Sequence, residues 1–208
     1  MNVDFWLVVG LGNPGHKYEE TRHNVGFNVI DTLVGKIVKN IGMSSVSWQD
    51  KYDAESCTLQ LGENRIVCAK PLSFMNRSGE PVARLQRFYK VPLRRLIVIH
   101  DELDLSLGVV RLKNGGGEAG HNGLRSIAQV LGSKDFYRVR VGIGRPSGLP
   151  GSDDITSEAV SLSVSSWVLS KFSLNEGEKV NSVCEKAADA IELVVRDGFL
   201  KAQNSINR

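Results

Sequence analysis

The sequence predicts an α/β fold, with a single domain formed by a mixed, twisted β-sheet flanked by helices. Two short apolar runs, Phe5–Gly10 and Leu96–Ile99, have the length and composition of strands buried in a parallel sheet. Segments with apolar residues at helical spacing lie between these two runs and after the second, so strands and helices mix along the whole chain. The 208 residues, 41% of them hydrophobic, are sufficient for one core, and we expect one domain over residues 1–208.

In the first half of the chain, the spacing of apolar residues predicts a helix and a hairpin after the first strand. A helix begins near Asn24, because apolar residues recur every three or four positions behind it. Two strands, 51–60 and 65–70, are joined by a Gly-Glu-Asn turn. A helix over 81–90 then leads to the second apolar run.

The second half predicts two strands and a helix around a glycine-rich loop. Strands are expected over 109–113 and 137–143, where apolar and polar residues alternate. The three consecutive glycines 115–117 indicate a loop, and apolar spacing over 122–131 indicates a helix between the two strands.

The last third combines a long polar connection with a helix. Residues 147–166 are rich in Pro, Gly, Ser and Asp, so we expect a loop that could act as a lid. Ser173 and Glu176 form a capping box, which predicts the start of a C-terminal helix at about 174–197.

Composition argues against a membrane or disulfide-rich protein. No apolar run approaches the ~20 residues that a helix needs to cross a bilayer, so we expect no membrane contact. The three cysteines, Cys57, Cys68 and Cys184, are odd in number and form no Cys-x-x-Cys pair. We therefore expect a cytoplasmic protein, in which Cys57 and Cys68, which fall in apolar segments, are buried, inert thiols.

Basic residues are concentrated in the middle of the chain. The formal net charge is only +3, yet residues 84–145 contain 12 basic and 5 acidic residues. Such a segment could bind a phosphate backbone. A solvated basic helix face with scattered surface charge explains the same count equally well.

A glycine motif follows the first strand. The segment Gly10-Leu-Gly-Asn-Pro-Gly15 fits the G-x-G-x-x-G pattern of dinucleotide-binding loops. That pattern needs a helix beginning inside the glycines, whereas Pro14 and the polar residues 16–22 delay the helix to about residue 24. We favour a tight loop that presents Asn13 at the carboxyl end of the strand, with a dinucleotide site as the alternative.

All four histidines lie in loops or at the ends of strands and helices; they are His16, His23, His100 and His121. In open α/β sheets, sites form beyond the carboxyl ends of the strands. His23, Asp101 and the helix N-terminus at Asn122 could meet there. A histidine backed by an aspartate, with amides nearby, is typical of a hydrolytic site.

A metal site is the alternative chemistry for the same region. His100, Asp101, Asp104 and His121 offer ligands that suit zinc or manganese. Neither a His-x-x-x-His nor a His-x-Asp spacing supports this set. A serine nucleophile is also disfavoured, because the chain has no G-x-S-x-G elbow.

Five blocks of residues occur in an order typical of one enzyme family. They are Val8–Gly15 with Thr21–Gly26, Lys70–Gly79, His100–Leu105, Gly115–Leu124 and Arg138–Pro146, and a weaker block covers Trp167–Phe172. Together they resemble the bacterial-type peptidyl-tRNA hydrolase family. The resemblance implies hydrolysis of the ester between a peptide and its tRNA, in a single α/β domain that needs neither metal nor cofactor.

The resemblance also implies roles for individual residues. His23 matches the catalytic base and Asp101 its carboxylate partner. The amides that hold the peptide, the carbonyl and the water would be Asn13, Asn76 and Asn122. The walls of the substrate channel would be Tyr18, Phe74 and Met75. Contacts to tRNA phosphates would come from Arg111, Lys113, Arg138 and Arg140.

Three features depart from the family's pattern. Ser73 stands where threonine is common, Glu118 adds negative charge near the expected tRNA path, and the 147–166 connection is longer than usual.

We expect a monomer that recycles tRNA from stalled translation. A non-catalytic RNA-binding protein with the same fold is the alternative, because fold alone does not fix function.

Overall fold

A computed structural model describes residues 5–146 and 158–208, and within these ranges seven strands form one mixed sheet. The strands run in the spatial order β2-β3-β4-β1-β5-β7-β6. Their bounds are β1 Phe5–Gly10, β2 Gln49–Lys51, β3 Ala54–Leu61, β4 Asn64–Pro71, β5 Leu96–Glu102, β6 Val110–Asn114 and β7 Tyr137–Gly142. The four central strands, β4, β1, β5 and β7, are parallel. Strands β3 and β6 are antiparallel to them, and the edge strand β2, which is antiparallel to β3, runs in the same direction as the central four.

Helices cover both faces of the sheet. Their bounds are α1 Val25–Asn40, α2 Gly79–Phe88, α3 Asn122–Leu131, α4 Glu158–Val168, α5 Gly177–Asp197 and α6 Phe199–Ile206. One face buries apolar side chains of α1, α5 and α6, and the other buries those of α2 and α3. Two helical layers around a largely parallel sheet give the predicted α/β class, which is confirmed.

The first glycine motif serves the packing of α1 on β1. A Cβ atom on Gly10 would lie 2.2 Å from the carbonyl oxygen of Gly26, and one on Gly12 would lie 2.7 Å from the Phe27 ring. These glycines therefore let helix and strand approach closely, so that the loop between them is held tightly at the carboxyl edge of the sheet.

Most elements agree with the sequence pattern. The helix over 122–131 has the predicted bounds, the hairpin is β3 and β4, and the capping box of Ser173 and Glu176 precedes α5. The pattern missed the short exposed strand β2 and the final helix α6. Cys57 and Cys68 are buried opposite each other on β3 and β4, as expected of inert thiols.

The prediction of a loop over 147–166 is wrong for its second part. Glu158–Val168 forms α4. Its serines have weak helix propensity, but Val164 and Val168 lie four positions apart and face one cavity, so tertiary packing overrides the local preference. The first part of the predicted lid, 147–157, lies outside the described residues. No helix within the described ranges combines the length and hydropathy that crossing a membrane requires.

Candidate active site

The parallel register brings His23 and Asp101 together at the carboxyl edge of the sheet. His23 lies in a short 3-10 turn between β1 and α1, and Asp101 lies near the end of β5. The imidazole Nδ1 is 2.9 Å from Oδ1 and 3.0 Å from Oδ2 of the carboxylate. Both residues are buried. The other ring nitrogen, Nε2, is thereby directed away from the acid and toward the adjacent cavity.

A second histidine shares the same carboxylate. His121 is the N-cap of α3, where its Nδ1 accepts hydrogen bonds from the backbone N–H groups of Gly123 and Leu124 at 3.2 and 3.4 Å. Its Nε2 is 2.9 Å from Oδ1 of Asp101. Because Nδ1 is an acceptor, the proton lies on Nε2 and is donated to the carboxylate. The sequence pattern did not predict this role, because histidine is not one of the residues usually found at a helix N-cap.

The surroundings of Asp101 and His23 determine the protonation states of these two residues. Burial of Asp101 would raise its pKa, but electrostatic attraction to His23 and His121 and the hydrogen bonds from both rings hold it well below the ordinary value, so the acid stays ionised. Burial of His23 lowers its pKa, but attraction to Asp101 and the hydrogen bond with it outweigh burial and raise the pKa above 6.5. The imidazole is therefore a stronger base than a free one.

Asn13 is fixed on three sides beside the pair. Its backbone N–H donates to Oδ1 of Asn24, and its carbonyl accepts from Nδ2 of the same residue, both at 2.9 Å. Its own Oδ1 accepts from the backbone N–H of Met75 at 2.8 Å. This arrangement leaves the Nδ2 amide of Asn13 as a donor toward the cavity. Asn24 is a supporting residue that the sequence analysis missed.

An open cavity of about 560 Å³ lies in front of these groups. Of the residues predicted for the site, the structure brings together His23, Asp101, Asn13, Phe74, Met75, Asn76 and Asn122 around it. Tyr18 is not part of the lining. Instead, its ring packs edge-on against the ring of Phe74 at 6.2 Å between centroids, behind the wall that Phe74 forms.

Helix α4 forms the opposite wall of the cavity, with Val164, Ser165 and Val168 among the lining residues. The chain after α4 is held to the loop of His23 by the buried Arg22. The Arg22 guanidinium donates to both carboxylate oxygens of Glu176 at 3.0 and 2.8 Å, and its carbon lies 3.8 Å from the centroid of the Trp167 ring. The residue next to the proposed base thus anchors the helix that covers the cavity.

The four residues of the alternative metal site, His100, Asp101, Asp104 and His121, do not come together as one set of ligands. Asp104 accepts from Nε of Arg145 at 2.9 Å, and Nδ1 of His100 lies on the backbone carbonyl of Asp101 at 2.8 Å. Within the described ranges, the group of ligand atoms close enough to hold an ion is His23, Asp101 and His121. A metal there would have to displace the Nε2 proton of His121 to Nδ1, where two backbone N–H groups already donate. These residues therefore fit an ion poorly.

The four predicted tRNA contacts have different environments. Arg138 is buried, and its guanidinium donates to the carbonyls of Gly116 and Gly117 at 2.7 Å, which speaks against a phosphate contact. Arg140 pairs with Glu102 at 2.8 Å, and Arg111 donates to the carbonyls of Val110 and Ile206. Lys113 makes no hydrogen bond or ion pair with any residue that the structure describes.

Fold and site together define a class: an α/β enzyme with a His–Asp pair facing a cavity at the carboxyl ends of central parallel strands. The profile of the peptidyl-tRNA hydrolase family matches residues 7–208. The chain belongs to the peptidyl-tRNA hydrolase family.

Individual relatives are similar over almost their whole length. The chain is 50% identical over 201 residues to a peptidyl-tRNA hydrolase of Mycobacterium marinum, covering 97% of this chain and 96% of that protein. It is 48% identical over 207 residues to that of Rhodococcus opacus, with 100% of both chains covered. The crystal structure of peptidyl-tRNA hydrolase from Acinetobacter baumannii has 35% identity and a TM-score of 0.82, and the match covers 99% of this chain and 95% of that one.

Proposed function

We propose that the chain hydrolyses the ester bond of peptidyl-tRNA with a water molecule activated by His23. The observation that carries this proposal is the bifurcated contact between His23 Nδ1 and both oxygens of the ionised Asp101 at the cavity. The carboxylate holds the proton on Nδ1, so the lone pair of Nε2 faces the cavity, where a general base must reach its water.

In the first step, Nε2 of His23 takes a proton from water as the oxygen attacks the ester carbonyl carbon. Asp101 stabilises the imidazolium that forms, because its charge lies within hydrogen-bond distance of Nδ1. The attack places negative charge on the carbonyl oxygen. Donors already aimed at that oxygen lower the barrier by typically a few kcal/mol each.

In the second step, the tetrahedral intermediate collapses. The bond from carbon to the ribose oxygen breaks, and the imidazolium returns its proton to that oxygen, so the products are free tRNA and a peptide acid. We assign Asn13, with its fixed Nδ2 donor, to the peptide, and Asn76 and Asn122 to the carbonyl and the water.

The remaining parts of the proposal concern substrate and cellular role. Phe74 and Met75 would line the channel for the peptide, with Tyr18 supporting Phe74. Lys113 and Arg140 stay in the set of proposed phosphate contacts, Arg111 stays as a weaker member, and Arg138 is withdrawn. We further propose a cytoplasmic monomer that recycles tRNA from stalled translation.

The decisive experiment measures release of N-acetyl-aminoacyl groups from tRNA by the unmodified chain and by His23→Ala. We expect His23→Ala to lose at least about 10³-fold in kcat while still binding deacylated tRNA. His16→Ala is the matched control, because His16 is in the same loop but its side chain is 98% exposed, and it should keep full activity.

Two further arms test the alternatives. Activity should persist with EDTA, and its loss on chelation would favour a metal-dependent mechanism. Aminoacyl-tRNA with a free amine should be spared. Binding of tRNA without cleavage at any enzyme concentration would support the non-catalytic alternative, and normal turnover by His23→Ala would show that the base is misassigned.

A further inference from the structure

The proposed tRNA contacts leave much of the basic charge in the middle of the chain without a role. Five basic residues lie within the twelve positions from Arg84 to Arg95. Arg84 pairs with Asp53. The side chains of Arg87, Lys90 and Arg94 are exposed and make no hydrogen bond or ion pair with any described residue. Unlike Arg140, which pairs with Glu102, these three residues have no acidic partner in the part of the chain that the structure describes.

These three cations lie where the chain passes from the end of α2 to the start of β5, at the amino edge of the sheet. Helix α2 ends at Phe88, and after a 3-10 turn the chain enters β5 at Leu96. Asp101 lies five positions after Leu96 along β5, a distance of roughly 17 Å. Lys113 lies toward the same edge, because it pairs with Arg138 near the start of β7. A polyanion bound with one end at the cavity could therefore contact both regions.

An exposed aromatic ring lies within this basic surface. The Phe88 side chain is 49% exposed, and its ring is 5.2 Å from that of Tyr52 and 4.9 Å from that of Tyr89. The ammonium of Lys51 lies 4.1 Å from the centroid of Phe88. Cations that bind the backbone, beside an aromatic ring on which a base can stack, are the combination used by proteins that bind single-stranded or looped RNA.

We infer that Lys51, Arg87, Phe88, Lys90 and Arg94 form a second RNA-binding surface, the α2–β5 surface, which holds the body of the tRNA far from the ester. This inference rests on the proposed function, which supplies the RNA. Once the acceptor end is in the cavity, the rest of the same molecule is at high effective concentration, so a few weak contacts add measurable affinity. A lipid surface fits less well, because Phe88 is the one large apolar side chain that these five residues expose.

The test compares two triple variants that remove the same charge. Arg87→Gln, Lys90→Gln and Arg94→Gln neutralise the α2–β5 surface. Lys39→Gln, Lys179→Gln and Arg208→Gln neutralise exposed cations on α1, on α5 and at the C-terminus, none of which pairs with a residue in the described ranges. Each variant is assayed on N-acetyl-aminoacyl-tRNA and on the same N-acetyl-aminoacyl group carried by a CCA trinucleotide.

The surface variant should raise KM for the tRNA substrate about tenfold without changing kcat, and should leave the trinucleotide substrate unaffected. The slope of log affinity against log salt should fall by about 2 for the three lost phosphate contacts. Phe88→Leu should weaken tRNA binding about fivefold with an unchanged salt slope, because stacking is not ionic. The control variant should match the unmodified chain in both assays.

Equal KM values for the two triple variants on tRNA would overturn the inference, as would a parallel rise on both substrates, which indicates damage to the cavity. Binding to phosphatidylserine vesicles that the surface variant alone loses, with tRNA binding unchanged, would assign the surface to membranes and also overturn it. If no substrate is cleaved at all, the proposed function fails, and anisotropy with deacylated tRNA still decides the role of the surface.

Discussion

Replacing His100 by Asn should make the folding stability of this protein less dependent on pH. The His100 ring is buried in β5, its Nδ1–H donates to the backbone carbonyl of Asp101 at 2.8 Å, and its Nε2 has no partner among the described residues. Burial, together with the neighbouring charges of His121 and Arg138, lowers the pKa to about 3, despite the opposing effect of Asp101. The folded protein therefore holds His100 neutral.

The sign and size of the effect follow from linkage. In the unfolded chain the pKa of His100 is about 6.5, so the unfolded state binds one more proton than the folded state between about pH 6.5 and pH 3. The free energy of unfolding therefore rises with pH across this window, by about 1.4 kcal/mol per pH unit. Lowering the pH from about 7.5 to 4.5 should cost about 3 kcal/mol through His100 alone.

His100→Asn keeps a donor near the position of Nδ1 but cannot titrate. Urea unfolding followed by tryptophan fluorescence at several pH values gives the slope for each protein. We expect the variant to be somewhat less stable at pH 7.5, because it leaves a small cavity, but to lose about 3 kcal/mol less on acidification. The exposed His16→Asn should keep the full slope. Parallel curves for His100→Asn and the unmodified chain would refute the reasoning.

Three further substitutions test the site and its supports. Asp101→Asn should lower kcat about 10²- to 10⁴-fold and move the acid limb of the pH–rate profile to lower pH, since the negative charge that raises the pKa of the base is lost; an unmoved limb would contradict this. Arg22→Met should destabilise the fold by about 2 kcal/mol in urea titrations, because Glu176 loses its cationic partner and keeps only the hydrogen bonds from Ser173, and adding Glu176→Gln should restore part of the loss; no recovery would argue against the ion pair. Gly123→Ala should lower kcat while the free energy of unfolding changes little, because the added Cβ would lie 2.6 Å from Sδ of Met75 and 3.2 Å from the His121 ring and would displace these site residues. Full activity would show that the substitution leaves the N-cap unstrained.

Part of the fold was predictable because local patterns and packing agree. The helix over 122–131 and the hairpin of β3 and β4 have apolar spacing that matches the faces they bury. Helix α4 was missed because its serines favour loops, whereas the contacts that stabilise it, such as that of Trp167 with Arg22, come from distant segments. Strand β2 was missed because all three of its residues are exposed, so no alternation appears in the sequence.

The charge of the candidate site residues was predictable from the sequence, but their burial and their hydrogen-bond partners were not. Arg138 and Lys113 looked alike as cations of one basic segment. In the structure the glycine loop supplies two carbonyls to Arg138 and buries it, while Lys113 stays unpaired in the described structure. The charge of a residue is written in the sequence, but whether that charge meets solvent depends on neighbours from other segments.

The sequence by itself determined the alternation of strands and helices, the tight glycine loop and the presence of one histidine and one aspartate at strand ends. Only the tertiary structure decided that these two groups meet across 78 residues and that His121 shares their carboxylate. The physical reason is that the register of parallel strands such as β1 and β5 comes from hydrogen bonds between distant segments, which local propensities do not encode.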